Sequence, residues 1–517
     1  MNVVILNYHF QRGGVTQVVE NHVCWLKQSP DINRILLVSG NRVDGLSEPT
    51  RQAAEIIRVD ELEYDSSGEA DHAEAKARLL VDQLQVQLDH QGIDRGETVL
   101  HWHNHSLGKN TAAPAAVRLL AELGWCSLLQ IHDFAEDGRP ENYRRLVQAS
   151  SATSKRQVDH YLYPVADNIR YVTLTRFDSR SLGQIGIPTE KRRVLPNSVT
   201  SPTEVQPDRE VSIEKIRRAM QLPPEAHWCI YPVRGIRRKN VGEFLLLSRL
   251  TPPDTYSGLT LCPTTPIERD SYRRWQRIAK QVAPRAVFDA AHHPDISFAE
   301  NLAASRYAIS SSVAEGFGMA FLEPWLAGCE VIARHLPSVF DDFEEMGIRF
   351  PAKYSSIPVP STTDWIRSCL AEIEDDRQRA WSALPKRFRP EYQDENLESS
   401  SSTIDFGRLT PQRQLEVLRR AATDAAFEAD LKHASAELVA ALQAERDEDQ
   451  IEQNRLLIRD HYSLQSTGDK LMGLYREIMA TTDSTPGELT SSGTPAIDVI
   501  NQSRPHFACR TEDPIHG

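Results

Sequence analysis

The sequence predicts an α/β protein built on two doubly wound parallel sheets, and three observations support this. At 517 residues the chain is longer than one hydrophobic core usually organises, so two or more domains are expected. Short apolar runs alternate with amphipathic stretches over the first two hundred residues, and the alternation begins again near residue 228. Strands that alternate with helices are typical of parallel sheets covered by helices on both faces.

Each predicted strand is short and apolar, and each predicted helix has one apolar face. In the first domain, strands are expected at 3–6, 34–38, 56–59, 98–102, 127–131, 171–174 and 193–195, with helices such as 15–26 and 73–88. In the second, strands are expected at 228–233, 259–262, 286–289, 307–311 and 330–333, with helices at 241–249, 272–281 and 319–327. The predicted domains are therefore 1–200 and 211–400, joined by a polar, proline-containing linker at 201–210.

The C-terminal part of the sequence has a different pattern. Helical periodicity with a charged middle predicts a helical segment over 410–480. From 481 to 517, Ser, Thr, Gly and Pro dominate and the periodicity is lost, which predicts a disordered tail.

Bulk composition excludes several classes of function. The formal net charge of −13 opposes binding to nucleic acid or to an anionic membrane surface. No apolar run reaches the roughly 18–20 residues of a membrane span, and the N-terminus reads as a first strand rather than a signal peptide. The seven cysteines are scattered singly, an odd number that argues against a disulfide framework. A cytoplasmic location is therefore expected.

Ligands of doubly wound sheets bind outside the carboxyl ends of the strands, so the residues that follow each predicted strand are the candidates for a site. Gly13 and Gly14 follow the first strand and open a helix, where backbone N–H groups can face an anion. A plain strand–helix turn is the alternative, and the pattern lacks the GxGxxG fingerprint of dinucleotide sites.

Two histidine groups follow later strands of the first domain. His101, His103 and His105 alternate along one strand, which suits either cleft-lining side chains or zinc ligands, and no Cys or carboxylate stands at metal spacing nearby. His132-Asp133 can orient a substrate hydroxyl or exchange a proton with it, the alternative being a capped helix beside a satisfied histidine.

Two groups in the second domain carry the strongest chemistry. Between Arg234 and Lys239, four cations stand within six residues, which predicts a phosphate clamp rather than a solvated basic loop. Glu315 precedes a Gly-Phe-Gly helix start, and Glu323 lies about two helical turns further on. Two carboxylates so placed can grip the two ends of an elongated ligand, whereas the pattern in isolation is only a capped helix.

These motifs, in this order over residues 1–340, resemble the retaining glycosyltransferases of family 4, which have the GT-B fold of two Rossmann-like domains. The resemblance implies that His132, Glu315, Arg234 and Lys239 are catalytic. It also implies a set of donor-binding residues: Gly13, Gly14, Arg234, Arg237, Lys239, Asn240, Glu315, Gly316, Phe317, Gly318, Met319 and Glu323. In this family Glu315 would hold the sugar and Glu323 the ribose, and the last helices would cross back to the N-terminal domain. The cation loop opens Val-Arg where the family commonly has Gly-Arg, which leaves open whether Arg234 or Arg237 binds phosphate.

The predicted reaction moves a hexose from a nucleotide-diphosphate sugar to a hydroxyl of a small polar acceptor or of a growing saccharide. No cofactor and no metal are expected. The acceptor-side residues are predicted to be His103, Asn104, Lys109, Asp133 and Arg139. The alternatives are a nucleotide-sugar epimerase or a phosphorylase on the same scaffold, or an inactive binding protein; the oligomeric state is left open.

Overall fold

The computed structural model describes residues 1–66, 72–201, 205–392, 402–481 and 485–511. Within it the chain forms two compact units. Unit 1 takes up Met1–Ser198, Trp381–Gln393 and Tyr462–Pro505. Unit 2 takes up Val199–Ala380, Asp394–His461 and His506–Gly517. The first crossing of the chain lies next to the predicted linker, whose residues 202–204 are outside the described ranges.

The strands of unit 1 up to the first crossing are β1 (Asn2–Leu6), β2 (Arg34–Ser39), β3 (Glu55–Arg58), β4 (Thr98–His103), β5 (Cys126–Ile131), β6 (Val165–Ala166), β7 (Ile169–Thr173) and β8 (Arg192–Val194). Seven of them form a sheet of order β3-β2-β1-β4-β5-β7-β8 in which every pairing is parallel. The remaining strand, β6, pairs antiparallel with a later two-residue strand, β17 (Pro486–Gly487), apart from this sheet.

The helices of unit 1 cover this sheet. They are α1 (Gly14–Leu26), α2 (Glu48–Ala53), α3 (Ala73–His90), α4 (Ala113–Glu122), α5 (Pro140–Ala149), α6 (Lys155–Leu162) and α7 (Arg176–Ile185).

Unit 2 contains a six-stranded parallel sheet of order β11-β10-β9-β12-β13-β14 and a two-stranded antiparallel ribbon, β15-β16. Its strands are β9 (His227–Arg234), β10 (Thr255–Leu261), β11 (Ala286–Phe288), β12 (Tyr307–Ser310), β13 (Glu330–Arg334), β14 (Lys353–Tyr354), β15 (Pro358–Pro360) and β16 (Thr403–Asp405). The two parallel sheets with flanking helices confirm the predicted α/β class.

The helices of unit 2 include all but the last of those that form the predicted C-terminal helical segment. They are α8 (Arg209–Ala219), α9 (Val241–Leu250), α10 (Pro266–Val282), α11 (Phe298–Ala304), α12 (Met319–Leu326), α13 (Pro337–Glu345), α14 (Thr363–Ala380), α15 (Pro411–Thr423), α16 (Ala425–Ala434), α17 (Ala436–Gln443) and α18 (Glu448–Tyr462).

At the end of α18 the chain returns to unit 1, where it forms α19 (Leu464–Met479), β17 (Pro486–Gly487) and α20 (Ala496–Ser503). In α19, Leu471, Tyr475 and Ile478 pack into the core formed by β1, β2 and α1. Residues 381–393 also belong to unit 1, although the sequence places them in the second domain.

The prediction of a disordered tail is wrong for its described part. In α20, Ile497, Val499 and Ile500 are buried, and Asp498 binds Lys155 at 2.8 Å. Arg504 then forms ion pairs with Asp137 and Asp178. Composition suggested disorder because polar residues dominate, whereas a single apolar helix face is enough to dock the segment. Residues 482–484 and 512–517 of the predicted tail lie outside the described ranges.

The chain order of the strands reverses beside β1 in unit 1 and beside β9 in unit 2. β1 pairs with both β2 and β4, and β9 pairs with both β10 and β12. Such switch points open a crevice at the carboxyl ends of the strands, where ligands of this fold class bind. The predicted site residues follow these strands in both units.

None of the helices in the described ranges combines the length and the apolar character that crossing a bilayer requires.

Candidate functional site

In unit 2, Glu315 lies at the centre of a cluster of hydrogen-bond donors. It follows β12, while Lys239 and Arg238 follow the neighbouring strand β9, so parallel pairing brings the two loops together. Lys239 Nζ donates to Glu315 Oε1, Ser312 Oγ donates to the same oxygen at 2.7 Å, and Arg238 Nη1 donates to Oε2 at 3.2 Å. The side chains of Lys239 and Glu315 are each only 8% exposed.

The cluster holds Glu315 ionised. Burial alone would raise the pKa of the Glu315 carboxyl, but the charges of Lys239 and Arg238 outweigh burial and lower that pKa. Burial lowers the pKa of the Lys239 ammonium, and the charge of Glu315 opposes that effect. Lys239 and Glu315 therefore form a buried ion pair, and their hydrogen bond fixes the orientation of both side chains.

The structure bears on the open choice between Arg234 and Arg237. The backbone N–H of Arg237 donates to Glu268 Oε2 at 2.7 Å, and its guanidinium binds Oε1 at 3.2 Å. The guanidinium of Arg234, by contrast, has no carboxylate partner among the residues that the structure describes. Arg234 is thus the better placed of the two to bind an added anion.

The glycine-rich loop leads into α12. Gly318 adopts a left-handed conformation with φ of 86°, and a Cβ there would lie 2.5 Å from the Phe321 ring, so only glycine fits. Phe317 is buried against Phe343. Within the described ranges, the backbone N–H groups of Gly316 and Gly318 have no protein acceptor, as at an anion- or hydroxyl-binding helix start.

Glu323 lies in the middle of α12, which begins at Met319. Its carboxylate has no hydrogen-bond donor among the described residues, and burial raises its pKa to about 7. An enclosed carboxyl group without a partner is costly to ionise, so it suits a site where a ligand supplies the missing donors.

Asn240, which the resemblance placed among the donor-binding residues, has its side chain occupied inside unit 2. It is 1% exposed, donates to Glu243 Oε2 at 2.9 Å and accepts from Gln414 Nε2 at 3.0 Å. Its backbone is left-handed with φ of 46°, at the start of α9. The Asn240 side chain therefore shapes the turn after Lys239, and its contact with a donor stays a prediction.

In unit 1, Gly13 and Gly14 form an open helix start. Both are exposed, and a Cβ at Gly14 would meet nothing within 4 Å. The backbone of Gly13 is extended, a conformation open to any residue. The glycines therefore leave room for a ligand at the N-terminus of α1 rather than relieving backbone strain.

His132 is the next predicted residue of unit 1, and it is buried and firmly positioned. Its Nε2 lies 2.8 Å from His103 Nδ1, and its backbone N–H donates to Asn104 Oδ1 at 2.7 Å. Burial lowers the pKa of His132 to about 4. The negative charge of Asp133 raises that pKa, but by less than burial lowers it. His132 is therefore neutral at physiological pH.

The partners of His132 point to one tautomer. His103 Nε2 is buried without a hydrogen-bond partner among the described residues. Because an unpaired buried N–H costs more than an unpaired lone pair, the proton of His103 belongs on Nδ1, where it donates to His132 Nε2. His132 then carries its own proton on Nδ1 and can donate it. Asn104 and His103, predicted on the acceptor side, thus hold His132 in place.

His22 and His101 extend this group into what we call the histidine row: His22, His101, His103 and His132. The rings of His101 and His103 stack with centroids 4.5 Å apart, and one nitrogen of each of His22, His101 and His103 lies within 4.8 Å of the others. Burial lowers the pKa of His101 and His103 well below 6.5 and that of His22 to about 3. Three neutral imidazoles at this separation are a possible metal site.

The bonding of His101 argues against a metal there. Its Nδ1 lies 2.8 Å from Tyr475 Oη, and its Nε2 lies 2.9 Å from Gln130 Oε1. A metal ion would have to displace one of these partners, and no carboxylate belongs to the group to offset the added charge. The absence of a metal stays a prediction.

Lys109, Asp133 and Arg139 lie beyond β4 and β5 at the same edge of the sheet. Arg139 binds Asp133 at 2.9 Å and donates to the carbonyl of Phe134 at 3.0 Å. The ammonium of Lys109 lies 5.6 Å from the centre of the Tyr64 ring. These three residues were predicted together, and the structure brings them to one region of unit 1.

Sequence reasoning missed three residues of these two clusters: Arg238, Ser312 and His22. Arg238 was inside the predicted clamp but was not singled out, because three consecutive cations give no indication of which faces Glu315. His22 is an isolated histidine on a helix, and only the packing of α1 on β4 places it beside His101.

No protein-family model matches the chain. The chain is 30% identical over 361 residues to mannosylglucosyl-3-phosphoglycerate synthase of Petrotoga mobilis, an alignment that covers 67% of this chain and 67% of that protein.

The fold is similar to that of two solved structures. Sucrose-phosphate synthase of Thermosynechococcus elongatus superposes with a TM-score of 0.55 at 13% identity, covering 93% of this chain and 100% of that one. The Anabaena protein HepE in complex with UDP and glucose gives 0.53 at 11% identity, covering 92% and 100%. At these identities the likeness concerns the fold alone, and it supports the predicted GT-B-like architecture.

Proposed function

Since the chain belongs to the glycosyltransferase family of mannosylglucosyl-3-phosphoglycerate synthase, we propose that it transfers a hexosyl group from a nucleoside diphosphate sugar to an acceptor hydroxyl. The transfer retains the anomeric configuration, as in the family 4 enzymes that the motifs resemble, and requires no metal. The name of the relative gives its product as mannosylglucosyl-3-phosphoglycerate, and for this chain we infer from that product a mannosyl donor and a glucosyl-3-phosphoglycerate acceptor. The observation that carries this proposal is the buried cluster of Lys239, Arg238 and Glu315. Arg234, on the same loop, has no carboxylate partner among the described residues.

Lys239 and Arg234 stabilise the departing diphosphate. Breaking the glycosidic bond places negative charge on the diphosphate, which pre-organised cations stabilise most effectively. An ammonium has three N–H donors, and Glu315 takes one of those of Lys239, which leaves two for phosphate oxygens. The ion pair thus fixes the direction in which Lys239 can donate.

Glu315 binds the transferred sugar through the few hydrogen-bond acceptor positions that its protein partners leave free. A carboxylate offers about four acceptor positions, and Lys239, Ser312 and Arg238 occupy three of them. One position, on Oε2, remains for a sugar hydroxyl. Glu315 therefore orients the sugar by one strong hydrogen bond, and its three donors make it a poor general base.

Glu323 binds the ribose of the nucleotide. Its carboxyl has no donor among the described residues, and its pKa of about 7 shows that ionisation is costly until one is supplied. Two vicinal ribose hydroxyls would supply two donors. Donor binding should therefore lower the pKa of Glu323.

His132 acts as a neutral hydrogen-bond donor near the sugar. Its pKa of about 4 keeps it uncharged at neutral pH. A neutral ring avoids repulsion of the positive charge that develops on the sugar as the glycosidic bond breaks. His103 and Asn104 are positioning residues that fix the ring and its proton.

The experiment combines the full chain with GDP-mannose, UDP-glucose or ADP-glucose, each with and without glucosyl-3-phosphoglycerate. Formation of a new glycoside that depends on the acceptor supports the proposal, and the one-bond C1–H1 coupling constant at its anomeric carbon reports retention. Lys239→Ala should lower product formation by on the order of a hundredfold or more, and circular dichroism shows whether the variant is still folded. Interconversion of the nucleotide sugar without acceptor would instead identify an epimerase, and a strict requirement for inorganic phosphate would identify a phosphorylase.

A further inference from the structure

We propose that Lys109, Arg139 and Arg145 of unit 1 form a subsite for a phosphate monoester group, the anionic end of the acceptor. The inference rests on the proposed function for its biological meaning, and on the structure of unit 1 for its location. Arg145 lies on α5 and had no role in the sequence-based prediction.

The fold brings Lys109 to α5 by a close backbone contact. Asn142 Nδ2 on α5 donates to the carbonyl of Leu107 at 2.9 Å. Gly108 has φ of 75°, and a Cβ there would lie 2.7 Å from the carbonyl oxygen of Asn142. Only glycine permits this approach, which places Lys109 beside the turn of α5 that carries Arg145.

Two of the three cations, Lys109 and Arg145, form no ion pair among the described residues, and Arg145 Nε is buried without a hydrogen bond. The charge of Arg145 acts on the Glu141 carboxyl, but that carboxylate is already bound to Arg144. Burial lowers the pKa of Lys109, and the charges of Arg145 and Arg139 lower it further. The three positive charges are therefore close to one another in a partly desolvated place.

The carboxylates around this cluster already have cations of their own. Those bonds are Glu63 with Arg42 at 3.0 Å, Asp65 with Lys76 at 2.9 Å, Asp133 with Arg139 at 2.9 Å and Glu141 with Arg144 at 2.8 Å. After Arg139 and Asp133 cancel, Lys109 and Arg145 leave a local charge of about +2. A phosphate monoester carries about −1.5 to −2 at neutral pH, whereas a carboxylate carries only −1. The charge balance therefore favours a phosphate monoester.

The cluster also lies where an acceptor is expected. Lys109 follows β4, and Arg139 and α5 follow β5, so these residues lie at the carboxyl edge of the sheet that also carries His132. The ring of Tyr64, 36% exposed, lies next to Lys109 and Arg42 and offers an apolar face for a sugar ring.

The test is calorimetric titration of the full chain with 3-phosphoglycerate, and with glycerate as the probe that lacks the phosphate. Arg145→Gln and Lys109→Gln should each weaken 3-phosphoglycerate binding by about tenfold or more, because a charge-assisted bond is lost. Glycerate binding should be weak in all forms. Arg34→Gln is the control, since Arg34 lies at the start of β2, at the opposite edge of the sheet, and is bound to Glu55.

Two results overturn the inference: 3-phosphoglycerate does not bind the wild-type chain, or Arg145→Gln and Lys109→Gln bind it as tightly as the wild type does. Circular dichroism on each variant identifies a loss of binding that comes from unfolding, and Lys109→Arg, which keeps the charge, should then retain most of the affinity. The proposed function fails separately. If the chain transfers a hexose to a neutral sugar and does not bind 3-phosphoglycerate, only the proposed subsite is wrong. If it binds 3-phosphoglycerate through the phosphate but transfers no sugar, only the proposed reaction is wrong.

Discussion

The two units place their polar side chains at the same edge of their sheets but in opposite electrostatic states. In unit 2, Lys239, Arg238 and Glu315 form ion pairs, and the two cations outweigh burial in setting the pKa of the Glu315 carboxyl. In unit 1, burial dominates and keeps the histidine row neutral. The difference suits the proposed reaction, because a departing diphosphate needs fixed cations, whereas a sugar that becomes positive is best contacted by neutral donors.

Removing a cation from the charged cluster of unit 2 should have the largest effect on activity. Lys239→Ala is expected to lower kcat by on the order of a hundredfold or more, because one pre-organised contact to the leaving group is typically worth about 3–4 kcal/mol. Steady-state kinetics with saturating donor measures the loss. Arg237→Ala, whose side chain is bound to Glu268, should cost far less; an equal loss in both variants would contradict the assignment of the phosphate site.

Acidification should destabilise unit 1, because it protonates the neutral histidine row. An unfolded histidine takes up a proton near pH 6.5, but folded His22 and His132 do so only at about 3 and about 4. Between these values the unfolded chain binds more protons, so stability falls as the pH drops from 6.5 towards 4, by on the order of 1 kcal/mol per histidine per pH unit. Hydrogen exchange at pH 7 and pH 5 should show β4 losing protection.

The control for this prediction is His22→Gln, which cannot titrate and should make the loss of protection in β4 less steep. If the protection factors of β4, corrected for the intrinsic pH dependence of amide exchange, are the same at both pH values, the histidine row is not held neutral by burial.

Glu323 should respond to pH in the opposite direction. Its folded pKa of about 7 lies above the ordinary value of 4.5, so the folded state binds more protons between these values, and stability falls as the pH rises through this range. Glu323→Gln removes the cost of ionisation and should stabilise the protein at pH 8 by about 1–2 kcal/mol, a rise of a few degrees in Tm, with the gain vanishing near pH 5.

The same substitution should weaken donor binding about tenfold, through the loss of charged acceptors for the ribose. Asp364→Asn on α14, an exposed carboxylate paired with Arg367, serves as the control and should change neither quantity. A Glu323→Gln protein that is less stable at pH 8 would show that this carboxylate has a structural partner.

Metal removal should have the smallest effect. EDTA is expected to leave activity unchanged, because the cations of unit 2 supply the positive charge that a metal would otherwise bring. Elemental analysis of the purified protein checks the histidine row directly. One equivalent of zinc in the wild type, and its loss in His101→Ala, would show that the histidine row binds a metal ion and would overturn its description as a group of neutral, metal-free side chains.

The sequence predicts the pairing of loops better than the direction of side chains. Lys239 and Glu315 could be placed together because each follows a strand, and adjacent parallel strands end at the same edge. Which of Arg237 and Arg238 faces Glu315 depends on Glu268 of α10, and such a contact between distant segments has no local signal. The same limit hid the packing of His22 against His101.

Composition was least informative at the C-terminus. Polar residues dominate after 481, yet α20 docks through a few apolar side chains and through Arg504. Asn240 illustrates a related limit, because its place in the motif suggested a ligand contact, whereas its amide binds Glu243 and Gln414.

The return of α19 to unit 1 has a consequence for how the chain folds during synthesis. The bond between His101 and Tyr475 joins residues 374 positions apart, so unit 1 emerges from the ribosome long before its last helices exist. Most of unit 2 is made in between and can fold first. Until α19 is synthesised, the apolar side chains that pack against Leu471 and Ile478 are exposed to water. Exposed apolar surface of this kind favours aggregation, so we expect the nascent N-terminal half to bind chaperones.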